Sequence, residues 1–242
     1  MTICAIIAIM TILKEAHPNK KLEVTVDGVT YTRYPVLIDV VMKGDDLTQI
    51  IKDEIGDEVQ NGDMVLVAES ALSAAQGRAI PVEDIHPKWL ANFLTKYMTK
   101  TDAGIGASDP LTMQVVIEEV GHLRVLVAAA IAAITKPFGI SGMFYRVAGE
   151  QARGVDGPAD YVIPPYNRHV VRSPEKPGKW AKEVEEMLGD NIRVMVMDAN
   201  DLGINILEAN NKQDEKLAKA LAFDNPLGQS DESTPILFCK KQ

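Results

Sequence analysis

An α+β fold, with mixed sheets and flanking helices, is what the apolar patterning of this chain predicts, and three observations carry the prediction. Some segments alternate apolar and polar residues at period two, as half-buried strands do, while others repeat apolar residues at helical spacing. The short run Met64 to Ala68 is apolar on both faces and so belongs inside a sheet, and Ile192 to Met197 reads as a second buried strand. The segments also lack the regular βαβ alternation of a doubly wound sheet.

Taken in order, residues 3 to 16 read as a short helix that stops before His17-Pro18-Asn19, because proline disfavours helical geometry in the residue before it. Leu22 to Val26 and Val29 to Tyr34 form a hairpin whose Asp27-Gly28 turn supplies positive φ angles. Pro35 to Val41 is β-rich. Lys43-Gly44-Asp45-Asp46 leads into a helix marked by Leu47, Ile50, Ile51 and Ile55, and Gly62-Asp63 turns into the interior strand Met64 to Ala68. Residues 84 to 98 are helical, and a flexible connection begins at Gly104-Ile105-Gly106. Next come a helix near Leu111 to Val120, an Ala-rich stretch over 125 to 134, and a glycine-punctuated strand over Ile140 to Val147. Gly157-Pro158, Pro164-Pro165 and Ser173 to Gly178 make the most turn-rich region. That places a boundary there, between an N-terminal α+β part over 1–160 and a C-terminal α/β part over 161–242. Trp180, Val184, Met187 and Leu188 mark an amphipathic helix closed by Gly189. The strand Ile192 to Met197, a helix over 212 to 222 and a final strand from Pro235 to Cys239 complete the chain.

At 242 residues the chain can bury about three quarters of its unfolded surface, so its core needs no disulfide staples. Lys and Arg number 25 against 34 Asp and Glu, a formal charge of −9 with no long basic run, which argues against a general DNA or RNA binder. Cys4 and Cys239 stand at opposite ends without metal-ligand spacing and read as reduced thiols of a cytoplasmic protein. Met1 to Leu13 lacks the positive start and small-residue cleavage site of a signal peptide, and Leu123 to Ile134 falls short of the ~20 residues of a membrane span. Both read as core, and no membrane partner is expected.

Standard nucleotide fingerprints are missing: no Gly-x-x-x-x-Gly-Lys occurs, and Asp109 follows Gly104-Ile105-Gly106 where a dinucleotide motif needs glycine. A nucleophile elbow and a His-x-x-x-His pair are also missing, which lowers the hydrolase and zinc readings. Directly after a buried strand, however, Ser70, Ser73, Gly77 and Arg78 offer two hydroxyls, backbone amides and a guanidinium fork to a phosphate or carboxylate. The same spacing equally suits a strand-to-helix turn in which the serines cap and Arg78 pairs with a surface acid. Asp198-Ala199-Asn200-Asp201 follows the second buried strand, and a carboxylate at an interior strand end suits a hard divalent cation; an ordinary capped turn is the alternative. Arg153 to Pro158 carries Asp156. The polar segment Asp224 to Pro235 carries Gln229 and Glu232, which join Asn200 and Asp201 as candidate substrate or phosphate contacts.

In this order, Lys43-Gly44-Asp45-Asp46-Leu47, Gly62-Asp63, Ser70-x-x-Ser73 with Gly77-Arg78, Lys136-Pro137-Phe138-Gly139, Pro164-Pro165 and the Asp198 segment resemble the gamma-glutamyl ligases of the deazaflavin coenzyme F-420, over roughly residues 33 to 240. Thr112-Met113-Gln114, Phe144 to Gly149 and Asp224 to Gln229 are similar to a bacterial branch of that family. The resemblance implies a GTP-dependent ligase that joins glutamate to the carboxylate of a phosphorylated deazaflavin with a divalent metal, in a homodimer of two intertwined subdomains. For this chain the expectation is a ligase that uses GTP or ATP and Mg or Mn to join a carboxylate to glutamate or another amino acid. It implies nucleotide binding by Ser70, Ser73, Gly77 and Arg78, metal binding by Asp156 and Asp198, and charge stabilisation by Arg78 or Arg146. This chain has Ala74 where those ligases place a lysine and Ala199 where they place a threonine. A silent nucleotide- or metabolite-binding protein of the same fold is the alternative function.

Overall fold

The computed structural model describes residues 20–98, 106–200, 203–209, 211–228 and 232–242. The predicted helix over 3 to 16 and Cys4 lie outside them. In chain order the first elements are β1 (Glu23–Val26), β2 (Val29–Val36), α1 (Leu47–Ile55), β3 (Met64–Ala68), α2 (Glu69–Ala75) and β4 (Ala79–Pro81). They are followed by α3 (Trp89–Leu94), α4 (Pro110–Val120), α5 (His122–Thr135), α6 (Met143–Ala148), α7 (Glu150–Arg153) and β5 (His169–Val171). The last are α8 (Pro177–Leu188), β6 (Arg193–Asn200), β7 (Gly203–Leu207), α9 (Lys212–Leu221) and β8 (Ile236–Lys241). The architecture is α+β, as predicted. No helix among the described residues is long and apolar enough to cross a membrane.

The chain forms two compact units. The first takes the described residues up to Val41, then Asp46–Ala68 and Lys176–Gln242. Its sheet runs β1-β2-β8-β3-β6-β7, and only the β3–β6 pair is parallel. Asp27 and Gly28 take φ of 49° and 83° in the β1–β2 turn, the left-handed geometry that a two-residue hairpin demands. Along β3, Met64 and Leu66 join a cluster with Ala218 and Leu221 of α9. Val65 and Val67 are equally buried and point to the opposite face by the period of two. Helix α8 packs against β6 and α1. Covering both faces explains why β3 and the Val194–Met197 part of β6 carry no polar alternation.

The second unit takes Met42–Asp45 and Glu69–Glu175. It is mostly helical, with the two-stranded β4–β5 sheet at one side and a core of Leu90, Met113, Val116, Ile117, Val125 and Phe144. Here one expectation is corrected: Ile140 to Val147 contains no strand, because α6 occupies Met143–Ala148. Gly139 and Gly142, both at φ 74°, turn the chain into the helix, and Phe144 and Ala148 bury at helical spacing i, i+4. The β-rich reading of Pro35 to Val41 holds only to Val36, and the helix predicted over 84 to 98 contracts to α3 flanked by short 3₁₀ turns.

Candidate functional site

In the second unit, α2 starts at Glu69 immediately after β3. Ser70 is exposed on its first turn, whereas Ser73 is fully buried and its Oγ has no hydrogen-bond partner among the described residues. Gly77, at φ 68°, closes the helix: its N–H donates to the Ala74 carbonyl at 2.8 Å and the Arg78 N–H to the Ser73 carbonyl at 2.8 Å. That nested pair is a Schellman cap, so these amides serve the helix end. The Lys43-Gly44-Asp45 segment lies against the same turn. Gly44 N–H donates to the Ala75 carbonyl at 2.9 Å, and Met42 N–H donates to the Asp45 carboxylate at 2.7 Å. Burial lifts the Tyr166 phenol above its ordinary range, and the Asp45 charge adds to that lift.

Arg78 is only 13% exposed. Its Nε donates to the Ser173 carbonyl, Nη2 to Glu119, and Nη1 to Glu175 at 2.7 Å. Arg172 adds pairs to Glu118 at 3.0 Å and Glu119 at 3.5 Å, and Ser173 Oγ donates to Glu69 at 2.7 Å. Sequence reasoning singled out none of Glu69, Glu118, Glu119, Arg172, Ser173 or Glu175. Their partners lie 41 to 104 residues away, a separation over which spacing carries no signal.

Elsewhere in this unit, Asp156 and Val171 exchange two backbone hydrogen bonds of 2.9 Å, and the Asp156 residue is exposed. Burial raises the neighbouring Tyr145 phenol; its oxygen accepts the Ala107 N–H at 3.1 Å, which opposes the rise, and the Asp156 charge adds to it. The reading missed Tyr145 as a group beside Asp156. Arg146 is exposed on α6, with Nη1 4.0 Å from the Met143 sulfur.

In the first unit, β6 runs past Met197, so Asp198 lies within the strand opposite Asn205 and not at its end. Hairpin pairing with β7 carries the strand onward to Asn200, opposite Gly203. Glu232 folds its carboxylate over Gly228 (φ 84°), where a Cβ would meet it at 2.5–2.7 Å. Asp201 and Gln229 lie outside the described residues. For a divalent cation, the candidate donors are single carboxylates, Asp156 in the second unit and Asp198 in the first. This is the hard-oxygen donor type that Mg or Mn accepts when phosphates and water complete its shell. Among the described residues no three His, Cys, Asp or Glu side chains form a metal-binding group.

The chain belongs to the F420-0:gamma-glutamyl ligase family, whose model matches residues 35–205, a span that includes the Gly77 turn and the Lys43-Gly44-Asp45 segment against it. A curated relative, the coenzyme F420:L-glutamate ligase of Methanopyrus kandleri, is 26% identical over 162 residues, covering 65% of this chain. The matched part spans 55% of that relative's length.

Proposed function

We propose that the chain is a nucleotide-dependent amide ligase, which activates a carboxylate with GTP or ATP and joins it to glutamate or another amino acid. The observation that carries the reading is the family match over 35–205, which includes the Lys43–Arg78 region, Asp156 and Asp198. A carboxylate is a poor electrophile. Transfer of the terminal phosphoryl group makes an acyl phosphate, and attack by the amine nitrogen then releases inorganic phosphate. Asp156 or Asp198 would offer a single carboxylate to Mg or Mn, which when bound neutralises polyphosphate charge. Exposed Ser70 offers a hydroxyl to a phosphate oxygen, and exposed Arg146 a guanidinium to developing negative charge. The chain would act as a homodimer, a reading supported by the apolar residues that α5 leaves exposed.

One observation favours a silent binding protein: the Arg78 fork is already closed by carboxylates. The test incubates the protein with GTP or ATP, Mg or Mn, glutamate and a panel of acids that includes F420-0. The ligase reading expects phosphate release that depends on both acid and amine, together with an amide product by mass spectrometry. Nucleotide binding without any amide formation would favour the silent protein.

A further inference from the structure

The Gly77 turn carries two cations, and their surroundings differ. Arg78 is mostly buried and engaged on three sides, by Glu119, Glu175 and the Ser173 carbonyl. A phosphate reaching its fork must first displace a carboxylate and then meet that carboxylate's charge. Lys43 is exposed, and among the described residues its ammonium makes no hydrogen bond or ion pair. Its aliphatic stem nevertheless lies flat over Gly77. A Cβ built there would come within 2.8 Å of Lys43 Cγ, Cδ and Cε, well inside van der Waals contact. The φ of 68° favours glycine at 77, and any side chain there would push the Lys43 stem off the turn. The hydrogen bond from Gly44 N–H to Ala75 fixes the Lys43 backbone on the same turn. The carbonyl end of α2 favours a cation here without neutralising it.

We infer that Lys43, and not Arg78, is the cation this turn presents to a phosphate group of the nucleotide. The inference rests on the nucleotide-dependent reading above and names the residue that makes the contact. An ammonium on a long stem suits the role: it binds phosphate as a point charge and sheds only water to do so, and packing over Gly77 removes part of the rotamer freedom it would otherwise lose. Arg78 becomes a positioning residue, whose fork ties the turn to α4 and to the Ser173–Glu175 segment.

The test uses three variants of the full chain, titrated calorimetrically with GTP and ATP in the presence of Mg, beside melting curves. Lys43→Met keeps an apolar stem over Gly77 and removes the charge. It should weaken binding about tenfold at an unchanged melting temperature, a loss near the lower end of what one charge-assisted hydrogen bond contributes. Lys43→Arg should restore most of the affinity. Arg78→Lys should lower the melting temperature and leave the affinity of the folded protein unaltered. If Lys43→Met binds like the parent, the inference fails while the nucleotide reading stands. If Arg78→Lys loses affinity at constant stability, the assignment reverses. If the parent binds neither nucleotide at millimolar concentration, both readings fall together.

Discussion

Asp224 sits between opposed effects. Burial by itself would raise its carboxyl, but hydrogen bonds from the Arg33 guanidinium, at 2.6 and 3.1 Å, and from the Lys21 N–H outweigh burial and hold it below the ordinary carboxylate range. Arg33 has a fully buried side chain and also donates to the Leu221 carbonyl at 2.8 Å. Asp224→Ala would strand that charge, and a loss of about 3 kcal/mol is expected in urea unfolding at pH 7. The pH dependence follows from the sign of the shift. A depressed folded value stabilises above the unfolded value near 3.8, and the contribution disappears as pH falls through the folded one. The gap between parent and Asp224→Asn should therefore narrow steadily below pH 4; a constant gap would mean that the pair does not act through ionisation. At Cys239, burial pushes the thiol up to about 12, so it stays protonated and inert. Iodoacetamide at pH 8 should label the Cys239 peptide only as the protein unfolds, read by mass spectrometry against a denaturant series.

Among the elements, α4 shows how local chemistry starts a helix. Asp109 accepts the Thr112 N–H at 3.1 Å, and Pro110 follows at the first helical position, where its missing N–H is harmless. Asp109→Ala should lower stability by about 1 kcal/mol, seen as a lower melting temperature, while Asp109→Ser recovers most of it. Segment Ile140 to Val147 shows the limit of local reading. Its apolar residues fit either period over so short a length, and the choice of helix falls to the glycines at 139 and 142 and to the packing of Phe144 and Ala148. At β6 the error was one of length, since pairing with β7 extends a strand beyond its apolar run.

For the whole molecule, a charge of −9 makes two copies repel except through an uncharged surface. Helix α5, expected from its sequence to be core, supplies such a surface instead, because among its residues only Val125 and Ala128 are buried. Leu123 is 76% exposed and Ile134 67%, Leu126 and Val127 are also exposed, and no charged residue occurs from Val125 to Thr135. Under the homodimer proposal, sedimentation at micromolar concentration should show a species near twice 26.4 kDa, and Leu126→Glu should shift it to the monomer without loss of helicity. A parent that sediments only near 26.4 kDa would overturn the dimer.

Sequence alone determined the hairpin at Asp27-Gly28, the interior character of β3 and of Val194–Met197 in β6, the helices α1, α4, α8 and α9 and the α+β class, because each rests on local periodicity or on a turn residue with one preferred geometry. The ordered motifs also pointed to the family that the match over 35–205 shows. Tertiary structure alone decided the pairings. β8 sits between β2 and β3, the Lys43 stem crosses Gly77, and the Arg78 fork closes on Glu119 and Glu175. The Gly77 and Arg78 amides were legible as a turn but not as a helix cap, and Ser73 was legible as a hydroxyl but not as a buried one. The physical reason is range. Propensity and periodicity act over a few residues, whereas ion pairs and strand neighbours join positions far apart in the chain, which only the folded core brings within reach.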